Sequence, residues 1–415
     1  MSVENLFTVP DALQKSGLAL DKFQARIVLS IFSIGALIAS LLTGRIADRF
    51  GRKKVLMVNN FGFALGIGFF SFARNYPQML IGRFFIGYSS GVAGVVVPMY
   101  LSEISTDCIR GLLGAFHQFS IVFGIFFSLS LAVPLGTNAL WRWYFGISFV
   151  PCVLQLVLLV ACPESPAYEM LRGKVSRCEI SLYRLRPLHW DVAEEREVID
   201  LAIQAAKSLG DSYSVFSLVK LPVARNSLLL CVFMHAIQQF SGIDVIMLFS
   251  KDWFTGSGAA LEKYITVIQG ITAIFGTLLS IYLIERVGRR ILTLASSLGC
   301  AISLTAVTVV LLSDGKGLFL LVPFLGFVVS FAIGLGPVTW IIINDIFPPN
   351  SRAAAVSVAV SVNWLSKFIL LTLSGPLMSG LKNFSFVPFA LVLYLFSGYA
   401  LRNLKETKGR PVGYL

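Results

Sequence analysis

The sequence predicts an all-α, polytopic membrane protein of two pseudo-symmetric helix bundles, and three observations carry that expectation. The first is composition. Of 415 residues, 56% are hydrophobic and only 13% charged, with a mean hydropathy of +0.79; an average soluble chain carries roughly 25% charged residues. So small a polar fraction leaves most of the exterior facing lipid. The second is that uncharged runs long enough to span a bilayer recur eleven times, at 27–44, 55–73, 81–102, 112–134, 143–162, 226–250, 264–284, 291–313, 318–344, 353–376 and 384–401. The third is a set of charged landmarks that repeat along the chain in the same order at nearly the same spacing.

The net charge of +12 sits in short loops between apolar runs. That distribution speaks for membrane topology and against a nucleic-acid partner. Alternate loops (45–54, 102–111, 163–225, 285–290, 345–352 and the tail from Arg402) hold 23 of the 34 Lys and Arg residues. By the positive-inside rule that side is cytoplasmic. The six cysteines form no C-x-x-C pair and have no metal-like partner histidines, so they read as small apolar residues or cytosolic thiols. No metal or cofactor is implied. Nor does any Ser, Cys, His or acid spacing suggest a nucleophile, so the chain is not expected to be an enzyme.

The landmarks are these. Asp48-Arg49-Phe50-Gly51-Arg52-Lys53 follows the first run, and Glu285-Arg286-Val287-Gly288-Arg289-Arg290 follows the seventh, 237 residues on. Glu103 and Arg110 are mirrored by Asp345 and Arg352, and Glu164 by Glu406, all at an offset of 242. Three kinds of landmark in one order at nearly one spacing indicate a duplication. Matching the halves leaves five runs in the first and six in the second, 226–250 being unmatched. The chain is therefore expected to lack a first helix. The domains read as an N-terminal bundle over 1–162, a linker with short amphipathic helices over 163–225, a six-helix bundle over 226–402 and a tail over 403–415. In the linker, Val192, Val198, Ile199, Ala202 and Ile203 recur at helical spacing.

At these motifs the sequence resembles the sugar porters of the major facilitator superfamily, and more narrowly the animal facilitative glucose transporters. The resemblance runs from about residue 27 to 410. It is carried by G-R-I-A-D-R-F-G-R-K-K (44–54), I-G-R-F-F-I-G (81–87), V-P-M-Y-L-S-E-I (97–104) and I-R-G-L-L-G-A-F-H-Q (109–118). C-P-E-S-P (162–166), Q-Q-F-S-G-I (238–243), G-L-G-P-V-T-W (334–340), N-W-L-S-K-F (363–368) and E-T-K-G-R (406–410) complete the set. It implies the major facilitator fold and facilitative transport of a hexose by alternating access, in the plasma membrane. Two other roles stay open: a transport-deficient relative acting as a sensor or binding partner, and a proton-coupled symporter. Lipid and a small-molecule sugar are the implied partners, and homo-oligomerisation is left open.

Two constellations carry the expected function. Opposite charges at helix ends clamp neighbouring helices. Asp48, Arg52, Arg83, Glu103 and Arg110 are expected to form one cytoplasmic cluster. Glu285, Arg289, Arg290, Asp345 and Arg352 form its counterpart, with Glu164 and Glu406 joining from linker and tail. The resemblance implies a gate; the alternative is that these charges only fix topology. For the substrate, a sugar's hydroxyls need neutral groups that both donate and accept. Gln118, Gln238, Gln239 and Asn363 lie in runs where polar side chains are otherwise scarce, and Trp340 and Trp364 offer flat apolar faces. Interhelical bonding is the alternative for the amides, and ordinary packing for the tryptophans. Ser241-Gly242 is expected to break one helix and Gly336-Pro337 another.

Departures from the family gather at this site. His235-Ala236-Ile237 stands for the usual Gln-Leu-Ser, Asp244 and Lys367 for asparagines, Ala273 for Asn and Ala332 for Glu. Asp244 and Lys367 each place a charge inside a span, at roughly 2.5–3.5 kcal/mol apiece. They are expected to pair across the cavity; the alternative places each alone in a wet vestibule.

Overall fold

A computed structural model describes residues 22–106, 108–135, 140–187, 189–208, 220, 222–315 and 317–408. The expectation of an absent first helix concerns chain that lies outside the described residues. The first bundle contains α1 (Lys22–Phe50), α2 (Arg52–Ser71), α3 (Tyr76–Ile104), α4 (Arg110–Leu135), and the stacked pair α5 (Trp141–Gly146) and α6 (Phe149–Ala161). Three short helices follow: α7 (Pro166–Leu171), α8 (Val175–Leu185) and α9 (Val192–Ser208). The second bundle contains α10 (Pro222–Phe240), α11 (Ile243–Trp253), α12 (Ala259–Val287), α13 (Arg289–Leu312), α14 (Leu318–Ile333), α15 (Leu335–Ile346), α16 (Pro349–Leu381) and α17 (Val387–Asn403). Among the described residues, 10 helical stretches are long and apolar enough to cross a membrane. The 17-residue α17 stands at the eleventh expected run.

Both expected helix breaks occur, one of them displaced. The run 226–250 divides into α10 and α11 at Ser241-Gly242, where Gly242 takes a φ of 83° that a residue with a Cβ adopts only with strain. The run 318–344 breaks at Gly334, not at Gly336-Pro337. Pro337 falls instead in the first turn of α15. A helix's first amides have no intrahelical acceptor, so a missing N–H costs little there. The Ser296 hydroxyl accepts another of these orphan donors, the Leu335 amide, at 2.9 Å.

Lipid offers no hydrophobic drive for helix association, so close backbone approach does the work. Gly87 and Gly91, four apart on α3, lie against the carbonyls of Phe32 and Ala36 on α1. A Cβ on Gly35 would stand 2.5 Å from the Phe84 carbonyl. The bundles meet through α1 on α16 and α12 on α4. The repeat offsets carry α1 onto α12 and α4 onto α16, so these two contacts exchange under the duplication. That exchange is what a pseudo-two-fold axis between the halves requires.

The linker helices share a small core of Met170, Cys178, Leu182, Val192 and Ile203, with Ile199 packed against it. Val198 and Ala202 are exposed, so the expected apolar stripe is narrower than its periodicity suggested. Burial and the neighbouring Glu179 push the Cys178 thiol up to about 11, which leaves it unreactive.

Gly91→Val tests the α1–α3 contact. Forcing side-chain atoms into that seam should cost about 1–3 kcal/mol and lower the melting temperature in detergent. Gly124→Val, whose Cβ would meet nothing within 4 Å, should leave it unchanged; equal melting of the two variants would refute the close approach.

Candidate functional site

At the end of the molecule where α1 turns into α2, here the basic end, a buried arginine organises the first bundle. Gly51, at φ 96°, caps the start of α2 and drops Arg52 inward. The Arg52 guanidinium donates to both oxygens of Glu103 on α3, at 2.9 and 3.0 Å, and pairs with Asp48 at 3.2 Å. Glu164, just past α6, accepts the Arg52 and Lys53 amides at 2.9 and 3.1 Å. A carboxylate there neutralises the orphan donors and the positive end of the helix dipole. A Cβ on Gly51 would strike the Glu164 carboxylate, so glycine is needed for fit as well as for its dihedral. The Ser165 hydroxyl completes the shell by donating to Glu103 at 2.5 Å.

The second bundle repeats the design. Gly288, at φ 94°, caps α13. Arg289 pairs with Glu285 and with Asp345 on α15, each at 3.3 Å. Glu406 accepts the Arg289 and Arg290 amides at 2.8 and 3.0 Å, and Thr407 donates to Asp345 at 3.2 Å. The two networks also reach across the seam. Arg352 of the second bundle lies within electrostatic range of Glu103, and Arg110 of the first within range of Asp345. Gly111 at the start of α4 abuts the Glu285 carboxylate, and a Cβ on Gly44 of α1 would stand 2.7 Å from the Ala353 carbonyl of α16. The basic end is closed in this conformation.

Arg83 does not join these clusters. It lies on α3, twenty residues before Glu103, hence about 30 Å away along the helix at 1.5 Å per residue. It is buried near the opposite end with its guanidinium 4.6 Å from the Phe70 ring centroid and 5.8 Å from that of Phe145. Its neighbour Gly82, in the same motif, packs on the α2 backbone.

Deeper in the molecule the amides converge. Gln239 donates to Asn363 Oδ1 at 3.0 Å. Asn363 donates to Gln238 Oε1 at 2.8 Å and to the His235 carbonyl at 3.0 Å. Gln238 donates to the carbonyls of Leu335 and Gly336, both at 3.0 Å, so it bridges two broken helices. Gln118 arrives from the first bundle: a Cβ on Gly336 would stand 3.3 Å from its Nε2. Among the buried polar atoms here without a hydrogen-bond partner are Gln239 Oε1 and Trp364 Nε1, with His117 Nε2, His235 Nε2 and Asn344 Oδ1 around them. Trp340 stands between His117 and His235, with ring centroids 5.7 and 5.4 Å away, both edge-on. Trp364 packs on Phe32 of α1 at 5.6 Å. Trp340, Arg110, Gly114, Asn344 and Asp345 line a narrow cleft between the bundles.

Asp244 and Lys367 meet. Lys367 Nζ lies 2.9 Å from Asp244 Oδ1, joining the first turn of α11 to the middle of α16. Beyond this pair the opposite end is closed by apolar side chains, Leu248 and Leu371 packing with Val28, Leu29 and Phe32.

The family model for sugar (and other) transporters matches residues 5–413. The chain belongs to the sugar transporter family. It is 35% identical over 403 residues to facilitated glucose transporter member 2 of solute carrier family 2 from Gallus gallus, covering 92% of this chain and 73% of that one. It is 34% identical to member 4 from Homo sapiens, covering 92% and 77%. Among solved structures it is similar to the major facilitator superfamily proton:xylose symporter XylE bound to 6-bromo-6-deoxy-D-glucose. That match has a TM-score of 0.86 and 25% identity, over 99% of this chain and 93% of the other. The inward-open conformation of XylE from E. coli fits less closely, with a TM-score of 0.71 at 24% identity over 99% and 96%.

Sequence reasoning passed over four residues of this sugar transporter's basic end. Ser165 and Thr407 each follow a landmark glutamate, and Gly51 and Gly288 lie inside the repeated motif. The repeat itself was the available signal, since 51 and 288 share the offset of 237.

The transporter's two arginines should differ in stability effect. Arg52 and Glu103 have fully buried side chains, whereas Arg289's partners Glu285 and Asp345 are 38% and 10% exposed. Stranding a buried charge costs about 3–5 kcal/mol. Arg52→Ala should therefore lower the melting temperature more than Arg289→Ala, and the reverse order would contradict the burial difference.

Proposed function

We propose that this sugar transporter carries a hexose down its gradient by alternating access, in the plasma membrane, with the basic end facing the cytoplasm. The observation that carries the reading is the bonded set of Gln238, Gln239 and Asn363, faced by Gln118, in which the Gln239 carbonyl oxygen is left unpartnered, as is the nearby Trp364 indole N–H. A buried acceptor and donor without partners cost free energy; sugar hydroxyls can satisfy both. Neutral amides suit a carrier because they bind hydroxyls without holding them too tightly for release. The glucose transporters among the relatives support hexose as the substrate class.

The two charge networks act as the cytoplasmic gate in this reading. The attractions of Arg110 toward Asp345 and of Arg352 toward Glu103 span the seam and must weaken when that side opens, whereas Arg52–Glu103 and Arg289–Asp345 lie within one bundle and travel with it. Trp340 and Trp364 flank the path, and the break at Gly242 lets α11 move apart from α10. Proton coupling is disfavoured. Asp244, the carboxylate that follows the amides across the helix break, is already engaged by Lys367.

Uptake of labelled hexoses into proteoliposomes tests the proposal. Wild-type flux should exceed that of empty liposomes, persist when the proton gradient is collapsed, and fall at least about tenfold in Gln239→Ala, matching one lost hydrogen bond of about 1.4 kcal/mol. Flux at the empty-liposome level for every hexose would favour a sensor in place of a carrier.

A further inference from the structure

The Asp244–Lys367 pair is placed to act on the substrate. Lys367 lies one turn, about 6 Å of rise, beyond Asn363 on α16, and Asp244 follows Gln239 across the helix break. The pair therefore forms the wall of the amide-lined site on the side away from the basic end. Neither group is sealed off, the carboxylate side chain being 29% and the lysine side chain 16% exposed. The carboxylate binds the ammonium through Oδ1, so each group keeps further hydrogen-bonding capacity.

We propose that this ion pair sets the charge class of the sugar. Resting on the reading of the chain as a sugar carrier, the proposal is that the closed pair restricts transport to neutral sugars. Loss of either member opens the site to sugars of the charge that the remaining member attracts.

The argument is electrostatic. At 2.9 Å the two charges nearly cancel for any ligand more than a few ångströms away, so a uronate or a protonated amino sugar would leave its hydration shell without a net counter-charge. To gain one it would have to split the pair and strand the other member, which is the costlier outcome. Selectivity by such a penalty is a form of rejection, not of tighter binding to the accepted ligand. The structure also gives each member a second source of support, so that either can remain charged alone. Asp244 sits in the first turn of α11, where the helix dipole favours a carboxylate. Lys367 Nζ lies 5.6 Å from the Trp364 ring centroid, within cation–π range. The unpartnered Gln239 oxygen and Trp364 N–H remain available to the sugar's hydroxyls in either case.

The test compares wild type, Asp244→Asn, Lys367→Asn and the double variant in proteoliposomes, with labelled D-glucose, D-glucosamine in its ammonium form and D-glucuronate. Wild type should favour glucose over both charged sugars by at least tenfold. Lys367→Asn should raise the glucosamine-to-glucose ratio at least tenfold and leave the glucuronate ratio unchanged. Asp244→Asn should do the reverse, and the double variant should return to the wild-type ratios. Unmoved ratios in both single variants, or both charged sugars rising together, would overturn the proposal. Quenching of tryptophan fluorescence by the same three sugars gives the ratios independently of flux. Should wild type bind glucose but not move it, the carrier reading fails, and the binding ratios alone decide the role of the pair.

Discussion

A charge buried at the end of a membrane helix persists only while its partners stay within hydrogen-bond reach, and the basic end of this molecule is built twice from that constraint. In each bundle a glycine with positive φ starts a helix, a glutamate from a distant segment accepts the first amides, and the next residue's guanidinium turns inward onto a second carboxylate. Arg52 with Glu103 and Glu164, and Arg289 with Asp345 and Glu406, tie three separate stretches of chain into one rigid end. Each bundle can therefore move as a body. Between the bundles, Arg110 and Arg352 act over a seam lined by Gly44 and Gly111.

The central site follows from the same rule applied to neutral groups. Lipid supplies no hydrogen bonds, so every polar side chain within the span must find a partner in the protein or face a wet cavity. Gln238 satisfies itself on the Leu335 and Gly336 carbonyls in the first turn of α15, and Asn363 on Gln238 and His235. Gln239 and Trp364 are each left with one atom unspent. A site that leaves neutral acceptors and donors open, Gln239 Oε1 and Trp364 Nε1 among them, suits a neutral, hydroxyl-rich ligand. The Asp244–Lys367 pair lies beyond the amides, and it is neutral as a unit.

Much of this architecture was legible in the sequence because duplication writes the same physics twice. The offsets of 237 and 242 pointed to Arg52 and Arg289, Glu103 and Asp345, Glu164 and Glu406, and these are the residues that meet. The break at Ser241-Gly242 was readable from local chemistry, and the union of Asp244 with Lys367 from the expense of leaving two charges alone in a span. Other features were not readable. Arg83 looked like a member of the charged cluster because its residue type matched, but its place early in α3 puts it a whole helix away, among aromatic rings. Gly336-Pro337 looked like a break, yet the chain bends at Gly334, where α14 must pass close to Leu292 and Ser296. Tertiary packing decided that position. Val198 and Ala202 kept helical spacing but face outward, since short helices on a surface bury only a narrow stripe.

The central claim is that two rigid bundles separate at the basic end to pass the sugar. Lys54 and Ile291, exposed and related by the offset of 237, provide equivalent attachment points for spin labels at the start of α2 and α13. Pulsed electron spin resonance distances between them, in lipid with and without hexose, measure that separation directly. Alternating access requires two distance populations whose ratio changes with sugar, the longer one growing when Arg110 and Arg352 are both replaced by alanine. A single distance, indifferent to sugar and to those substitutions, would contradict it.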